Sequence, residues 1–519
     1  MIASWIMPRS PLLVAQLDAM HRRPAGDWYY RTWSPGRALA ELEGVQVIAL
    51  DQAHRRISQV YERADVLVIH GVCSADLLPV IARRKAAGQL TVYEINDDVE
   101  SMQPSNPLAP FFAEPENLRL FRRLAQNCDA VQYSVAELQR LFGALNARSR
   151  VWPNQLLEVP SLGELDESRG IRIGWGGSAG HLEDMAAIAP ALSRFVLEHP
   201  GVTLHLMCSD RIWQLFDALP EQRKQRTPTG SIDEYHAFVS QLDIGLAPNL
   251  DQGFNRARSD VKFLEYAAHG VVALLQRLTP YLSGVREGET GFLFGDEREL
   301  VALLGRLVGD RQLRQRVRES AHAYVTTERR ERDHVAARLE FYREVGANPT
   351  LDKASGLFEE LSGMEGATVT GQHLVLSHTA FETALHDGLL LLQRGDQRGA
   401  ELLRHATRLE PASPLPELLL GAQLGSEADL QASLRKQPKS LQAQLELGLL
   451  ELRRGEPKQA LARFLAAAEL APGYEMPFLF AARAMQALGS ERDARELEQL
   501  AAGMANAVNV PPRSPANAQ

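Results

Sequence analysis

Short, almost wholly apolar runs alternate with amphipathic helical stretches through the first 160 residues, and few folds accommodate this alternation. The stretches between the runs, such as ADLLPVIARRKAAG and ENLRLFRRLAQN, have helical periodicity. Strands that are apolar throughout are buried on both faces, as in a parallel sheet covered by its crossover helices. Residues 1–160 therefore predict an α/β domain with a parallel sheet. The apolar runs are VQVIAL (45–50), ADVLVIHG (64–71), LTVYEIND (90–97) and DAVQYSV (129–135).

The same pattern restarts after VPSLGELDESRG (159–170), which we interpret as a hinge. RGIRIGWGGSAGH combines a strand, a glycine-rich turn and a helix start, and VTLHLMCS, LDIGLAP and VVALLQ are further strand candidates. Residues 297–345 have a helical pattern throughout. A second parallel α/β domain is therefore predicted for residues 168–345, with a returning helix at its end.

The remainder of the chain changes character. Residues 346–372 lack a pattern and are rich in Gly, Ser and Thr, so they predict a linker. Residues 373–506 show no strand signal and resemble tetratricopeptide repeats, which are helix pairs that stack into a concave protein-binding surface. The tail, residues 507–519, is expected to be disordered. The clearest copy of the repeat carries Gly448, Gly455, Ala460, Phe464, Ala467 and Pro472.

Bulk properties argue against several functional classes. The 519 residues carry a net charge of −9 without a basic stripe, so a nucleic-acid partner is not expected. No apolar run is long enough to span a bilayer, and the N-terminus makes a poor signal peptide. The three cysteines are too widely spaced for a zinc motif or a disulfide framework. We therefore expect a cytoplasmic protein whose contact with membranes is at most peripheral.

The segment FNRARSDVKFLEYAAHG (254–270) collects charges at the start of a predicted helix. Lys262 and Glu265 are three positions apart and share a helix face, while Arg258 precedes the helix. Free N–H groups and the positive end of the helix dipole lie at the same place. These features suit a diphosphate, with Glu265 one turn deeper to accept from ribose hydroxyls; the alternative is an ordinary surface ion pair.

A second candidate segment, IGWGGSAGHLEDM, follows a strand of the second domain. Gly176 and Gly177, followed by Ser178, allow phosphate or sugar oxygens to approach the backbone. His181 lies at the helix start, where it is placed to donate to a phosphate. The alternative is a tight strand-to-helix turn that binds nothing.

Taken in order, these segments resemble the retaining glycosyltransferases of family 4, also called group 1, which have the GT-B fold. The glycine-rich turn, the segment RSDVKFLEYAAHGVVALLQ, the strand TGFLF and the Pro-Asn turn with Asn154 carry the resemblance over residues 27–345. It implies two Rossmann-like domains facing a cleft, with the acceptor in the first and the nucleotide sugar in the second. It implies no metal and no cofactor beyond this co-substrate.

The resemblance assigns roles to individual residues and also shows a departure. Lys262 matches the phosphate-binding lysine, Glu265 the ribose-binding glutamate, and Arg258 is expected to be a second phosphate cation. The first acid of the family's acidic pair, which contacts the transferred sugar, is replaced by Ala257. Asn255 is the expected substitute.

The first domain contributes further candidates at the ends of predicted strands. His70 ends VIHG, and Asp98 follows the next strand along the chain. Ligands bind at the carboxyl ends of parallel strands, so both are candidate catalytic residues beside Lys262 and Arg258. The alternatives are a core histidine and a loop or capping acid.

The sequence thus predicts a sugar transferase that uses a nucleoside-diphosphate sugar and an acceptor hydroxyl, on a glycan or on a protein such as flagellin. The repeats are expected to bind a protein partner or the acceptor itself. The competing hypothesis is a non-catalytic scaffold with a degenerate transferase domain. A nucleotide-sugar epimerase is a third, weaker alternative.

Overall fold

The computed structural model describes residues 11–19, 26–165, 168–347, 354 and 356–506. Two mainly parallel sheets, each with helices on both faces, are followed by a run of paired helices. This is the predicted GT-B architecture with an all-helical C-terminal region. None of the helices in the described ranges is both long and apolar enough to span a bilayer.

The first domain contains strands β1–β6 and helices α1–α7. Its strands run in the order β2-β1-β3-β4-β5-β6, and every neighbouring pair is parallel. The strands are Leu12–Asp18, Val45–Asp51, Val66–His70, Leu90–Ile95, Ala130–Tyr133 and Ser149–Val151; the helices are Gly26–Trp28, Ser34–Leu39, Ile57–Arg63, Leu77–Ala86, Ala109–Ala113, Pro115–Asn127 and Ala136–Phe142, with a π-helical turn at Tyr29–Trp33.

The second domain contains strands β7–β12 and helices α8–α16. Its sheet has the order β12-β11-β10-β7-β8-β9, also all parallel. The strands are Ile171–Gly176, Val202–Met207, Lys224–Thr227, Ile244–Ala247, Val272–Gln276 and Phe292–Phe294; the helices are Leu182–Glu198, Asp210–Gln214, Ile232–Val239, Gly253–Arg256, Val261–Ala268, Thr279–Leu282, Glu297–Gly309, Arg311–Glu328 and Glu331–Val345.

The last helix of this set, α16, packs on the first domain. Leu339, Phe341 and Tyr342 are buried in one apolar cluster with Val14 and Val47 of the first sheet. The chain therefore crosses back to the first domain through this helix.

The first sheet contains strands that the sequence did not predict. β1 lies between β2 and β3 in that sheet, and no strand was predicted for its residues. The predicted linker, 346–372, contains a helix, α17 (Leu357–Ser362), and a strand, β13 (Ala367–Thr370). β13 forms a hairpin with β14 (His373–Leu376), which pairs in parallel with β2. β14 has its place in the sheet because the edge of β2 supplies it with hydrogen-bond partners.

The C-terminal region consists of four helix pairs. A glycine with positive φ lies between the two helices of every pair: Gly395, Gly425, Gly455 and Gly489. Such a conformation suits glycine because it has no Cβ. The helices, α18–α25, are Ala380–Gln393, Arg398–Leu409, Leu415–Leu424, Glu427–Lys436, Leu441–Arg453, Pro457–Leu470, Glu475–Ala487 and Glu491–Asn506.

The helix pairs are docked on the first domain. Tyr474, Met476 and Phe480 are buried in the same apolar cluster as residues of the first sheet and its helices. Arg123 of α6 forms a buried ion pair of 2.7 Å with Glu475 of α24. The helical region is therefore an integral part of the folded chain.

Candidate functional site

A cavity of about 510 Å³ lies between the carboxyl ends of the two sheets. The strand order reverses between β1 and β3 in the first sheet and between β10 and β7 in the second. Open α/β sheets form ligand crevices outside the carboxyl ends of the strands at such points. Six of the residues predicted as a binding site line it: Gly177, Ser178, His181, Arg258, Lys262 and Glu265. The first domain contributes Asp27, Tyr30, Arg31, Asn96, Asp97 and Asn106 to the opposite wall.

Glu265 is buried at the base of this cavity and accepts hydrogen bonds from hydroxyl groups of both domains. Its carboxylate accepts from Tyr30 Oη at 3.1 Å and from Tyr235 Oη at 2.7 Å. Tyr30 belongs to the first domain and Tyr235 to α10 of the second, so this carboxylate joins the two walls. Each of its two oxygens accepts from one hydroxyl group, and a ribose diol presents two such groups.

Lys262 lies one turn before Glu265 on the same helix, α12. Its Nζ donates to Tyr235 Oη at 2.6 Å, lies 3.4 Å from Glu265 and 4.3 Å from the centre of the Tyr235 ring. Burial lowers the pKa of Lys262, and the neighbouring Glu265 opposes that shift. The ammonium is thus held at the wall by an ion pair and a hydroxyl.

Arg258 faces the cavity just before α12. Its guanidinium lies 4.7 Å from the centre of the Phe254 ring, and Nη1 donates to His181 Nε2 at 2.8 Å. Its Nε is buried and has no hydrogen-bond partner among the described residues. A buried donor without a partner costs about 1–3 kcal/mol, so this group favours an anionic oxygen as its acceptor.

His181 lies in the cavity wall between Asp184 and Arg258. Its Nδ1 lies 3.0 Å from Asp184 Oδ2, while its Nε2 accepts from Arg258. Burial lowers the pKa of His181 to about 4, and the charge of Arg258 adds to the effect. The neutral ring thus has Asp184 and Arg258 as its hydrogen-bond partners, and its contact with a phosphate stays a prediction.

The two glycines pack closely against aromatic rings. A Cβ on Gly176 would lie 2.9 Å from the Tyr235 ring, and one on Gly177 would lie 2.5 Å from the Trp175 ring. The N–H of Gly177, expected to meet a phosphate, donates to the carbonyl of Met207 on the adjacent strand. These glycines let the aromatic rings close the turn, and Ser178 is the next residue that reaches the cavity.

Asn255 differs from expectation, and the neighbouring Ser259 contacts the first domain. Asn255 is fully buried outside the cavity and donates to Asp184 at 2.8 Å, so it does not face a transferred sugar. Ser259 accepts from Asn154 at 2.9 Å, which ties the Pro-Asn turn to the second domain. Asp260, which directly precedes α12, forms an ion pair with Arg329 at 2.6 Å.

The catalytic candidates of the first domain are not part of the cavity wall. His70 is buried 3.0 Å from Asp18, at the end of β1. Asp98 is buried and accepts from the N–H of Glu100 in its own turn. Its neighbour Asp97 lines the cavity. Burial raises the pKa of Asp97 to about 6, while Arg258 acts in the opposite direction.

Sequence reasoning missed three of the side chains that shape this site. Tyr30 lies in an aromatic cluster typical of a core, and Tyr235 lies in a helix without a recognisable motif. For Asp184 the sequence gives only a weak signal, which is its position three residues after His181 in the first turn of α8. In the part of the chain that the structure describes, no group of three or more His, Cys, Asp or Glu side chains is arranged to hold a metal ion.

Comparison with known proteins gives the following matches. Residues 190–340 match the model of a family described as glycosyl transferase-like. No curated protein matches the sequence. Among solved structures, HepE of Anabaena in complex with UDP-glucose has a TM-score of 0.48 and 14% identity, over 63% of this chain and 99% of HepE.

Two further structures show smaller likenesses. TarM of S. aureus has a TM-score of 0.42 and 9% identity, over 53% of this chain and 54% of TarM. The C-terminal domain of a group 1 glycosyl transferase, LpcC of Francisella tularensis, has a TM-score of 0.26 and 16% identity, over 30% of this chain and 85% of that domain. With its two facing parallel sheets and the family match in the second domain, the chain has the GT-B fold and is similar to the group 1 glycosyltransferases, as its motifs predicted.

Proposed function

We propose that the protein is a retaining glycosyltransferase that moves a sugar from a nucleoside-diphosphate sugar to an acceptor hydroxyl. The supporting observation is that one short segment presents Arg258, Lys262 and Glu265 to a cavity between two parallel sheets. Two cations and a hydroxyl-binding carboxylate are the complement of a diphosphate joined to a ribose.

The proposed chemistry needs charge stabilisation and positioning. Negative charge grows on the diphosphate as the bond to the sugar breaks, and Arg258 and Lys262 are placed to stabilise it. Tyr30 and Tyr235 donate hydrogen bonds to the carboxylate of Glu265. In the donor complex, ribose hydroxyls would take the place of these tyrosines as donors. We assign the acceptor proton to the departing phosphate oxygen, because we assign no side chain as a nucleophile, and no metal is invoked.

The acceptor is assigned to the wall formed by the first domain. Asp97 and Asn106 line that wall. We assign to them the orientation of an acceptor hydroxyl, with Asp97 taking the role first given to Asp98. We extend the proposal to the helical repeats, which are fixed beside α6 of the same domain and would hold a protein acceptor or partner near the cavity. The acceptor is then a surface glycan or a protein such as flagellin.

The donor site is tested by thermal unfolding of the wild type and Glu265→Gln with a panel of nucleoside diphosphates. A ligand at about 100 times its Kd stabilises a protein by roughly 2.7 kcal/mol. We expect one base to stabilise the wild type, and Glu265→Gln to lose roughly tenfold or more in affinity, as when a charged hydrogen-bond acceptor is removed. Glu319→Gln, on the exposed face of α15, is the matched control.

A specific observation favours the scaffold alternative: Ala257 replaces the acid expected to contact the transferred sugar, and it is buried. The two hypotheses differ in turnover. A transferase releases nucleoside diphosphate from its donor in the presence of acceptor, or slowly by hydrolysis, and a scaffold does not. If no nucleoside diphosphate stabilises the wild type, the transferase proposal is wrong.

A further inference from the structure

The carboxylate of Asp184 accepts more hydrogen bonds than any role in helix capping requires. It is 1% exposed and lies behind the cavity wall, in the first turn of α8. Its donors come from three separate parts of the chain. Oδ1 accepts from Leu250 N at 2.8 Å, Asn255 Nδ2 at 2.8 Å and Gln103 Nε2 at 3.2 Å, and Oδ2 lies 3.0 Å from His181 Nδ1.

The contact with His181 determines which ring nitrogen carries the proton. A neutral imidazole has one donor nitrogen and one acceptor nitrogen. A carboxylate can only accept, so Nδ1 carries the hydrogen and Nε2 is left as the acceptor. Arg258 has only donors, and its Nη1 lies 2.8 Å from this Nε2. Only one arrangement of protons gives each hydrogen bond from Asp184 through His181 to Arg258 one donor and one acceptor.

We infer that Asp184 is a positioning residue for Arg258. It fixes His181 in the tautomer whose Nε2 accepts, and the ring then holds the guanidinium of Arg258 at the cavity wall. The consequence for ligand binding rests on the proposed function, because it takes Arg258 to bind the diphosphate. The tautomer itself follows from the geometry alone.

The replacement Asp184→Asn separates this role from structural support. An amide has the shape of a carboxylate, and its oxygen can keep the three donors that meet Oδ1. Its NH₂ group then faces His181 Nδ1 and donates to it, which moves the ring hydrogen to Nε2. Two donors then face each other, Nε2–H of His181 and Nη1 of Arg258, and Arg258 moves from its position.

The first measurement is the tautomer of His181 by NMR with ¹⁵N-labelled histidine, assigned by comparison with His181→Gln. We expect the Nδ1–H form in the wild type and the Nε2–H form in Asp184→Asn. Asp243→Asn is the control, because Asp243 is a buried carboxylate of the same domain that accepts from the N–H of Arg172. A wild type in the Nε2–H form overturns the inference, whether or not a nucleotide binds.

The second measurement is the affinity for the nucleoside diphosphate that stabilises the wild type most. We expect Asp184→Asn to weaken binding roughly tenfold or more, the range for a lost hydrogen bond to a charged group. In a His181→Gln background the same replacement should cause no further loss, because it acts through the ring. Equal losses in both backgrounds overturn the inference. If no nucleoside diphosphate binds the wild type, the proposed function is overturned instead. The tautomer of His181 then still tests the inference about Asp184.

Discussion

Asp97 is the acid of the cavity wall whose ionisation is most altered by the fold. In the folded chain burial raises its pKa to about 6, against an ordinary value of 3.8. The folded state therefore keeps a proton that the unfolded chain releases, and stability falls as the pH rises between these values. We expect Asp97→Asn to melt at a higher temperature than the wild type at pH 7.5 and at a similar temperature at pH 4. An equal gain at both pH values would contradict the assignment.

His70 has the opposite dependence. Burial acts to lower its pKa, but Asp18 outweighs this and raises the pKa to about 9. The charged pair contributes stability fully below the ordinary pKa of 6.5, and this contribution disappears as the pH rises through 9. We expect His70→Gln to lower the melting temperature more at pH 6 than at pH 10. The exposed His405→Gln should change neither value, and a loss for His70→Gln that is independent of pH would refute the pairing.

Residues of the site differ in how far they were predictable. Lys262 and Glu265 were found because helix geometry fixes their relation within four residues, whatever surrounds them. Which of Asp97 and Asp98 faces the cavity depends on the turn after β4. In that turn the carboxylate of Asp98 accepts from the N–H of Glu100. Tyr30 meets Glu265 from 235 positions away. Contacts of this kind follow from how the domains pack, and no local pattern contains that information.

Close packing between paired helices explains why glycine recurs in the repeats. In α22, a Cβ on Gly448 would lie 2.6 Å from the ring of Phe464 in α23. We expect Gly448→Val to destabilise this pair by about 1–3 kcal/mol, as overpacking does in cores. Hydrogen exchange of the α22 and α23 amides measures the effect locally. Gly473→Val is the control because a Cβ there has open space, and Phe464→Leu should partly rescue Gly448→Val.

Elements were predicted where their signal is strong and repeated. The alternation of apolar runs and helices indicated both sheets, and the turn glycines indicated the helix pairs. β14 was missed because its four residues, HLVL, offer too short a pattern, and its order comes from β2. β1 was missed although it is fully buried along its length, because an apolar run near a terminus has several possible structures and only its neighbours β2 and β3 select one.

At the scale of the whole molecule, a buried ion pair holds the repeats on the first domain. The side chains of Arg123 and Glu475 are 9% and 7% exposed. Removing one partner leaves a buried charge alone, which typically costs about 3–5 kcal/mol, whereas two apolar replacements are close to neutral. We expect faster hydrogen exchange in α24 and α25 for Arg123→Ala than for the double replacement Arg123→Met with Glu475→Met. Equal exchange in the two variants would show that the pair does not support the docking.

The late position of β14 in the chain has a consequence for biosynthesis. Its partner β2 ends at Asp51, and β14 begins at His373, about 320 residues later. At translation rates of about 5–20 residues per second, the ribosome needs roughly 15–60 seconds to cover that distance. During this time the edge of β2 lacks its final neighbour, and an unpaired strand edge is where nascent chains associate with one another. The first sheet to emerge is thus among the last to be completed, and this interval is when a chaperone that shields strand edges would act.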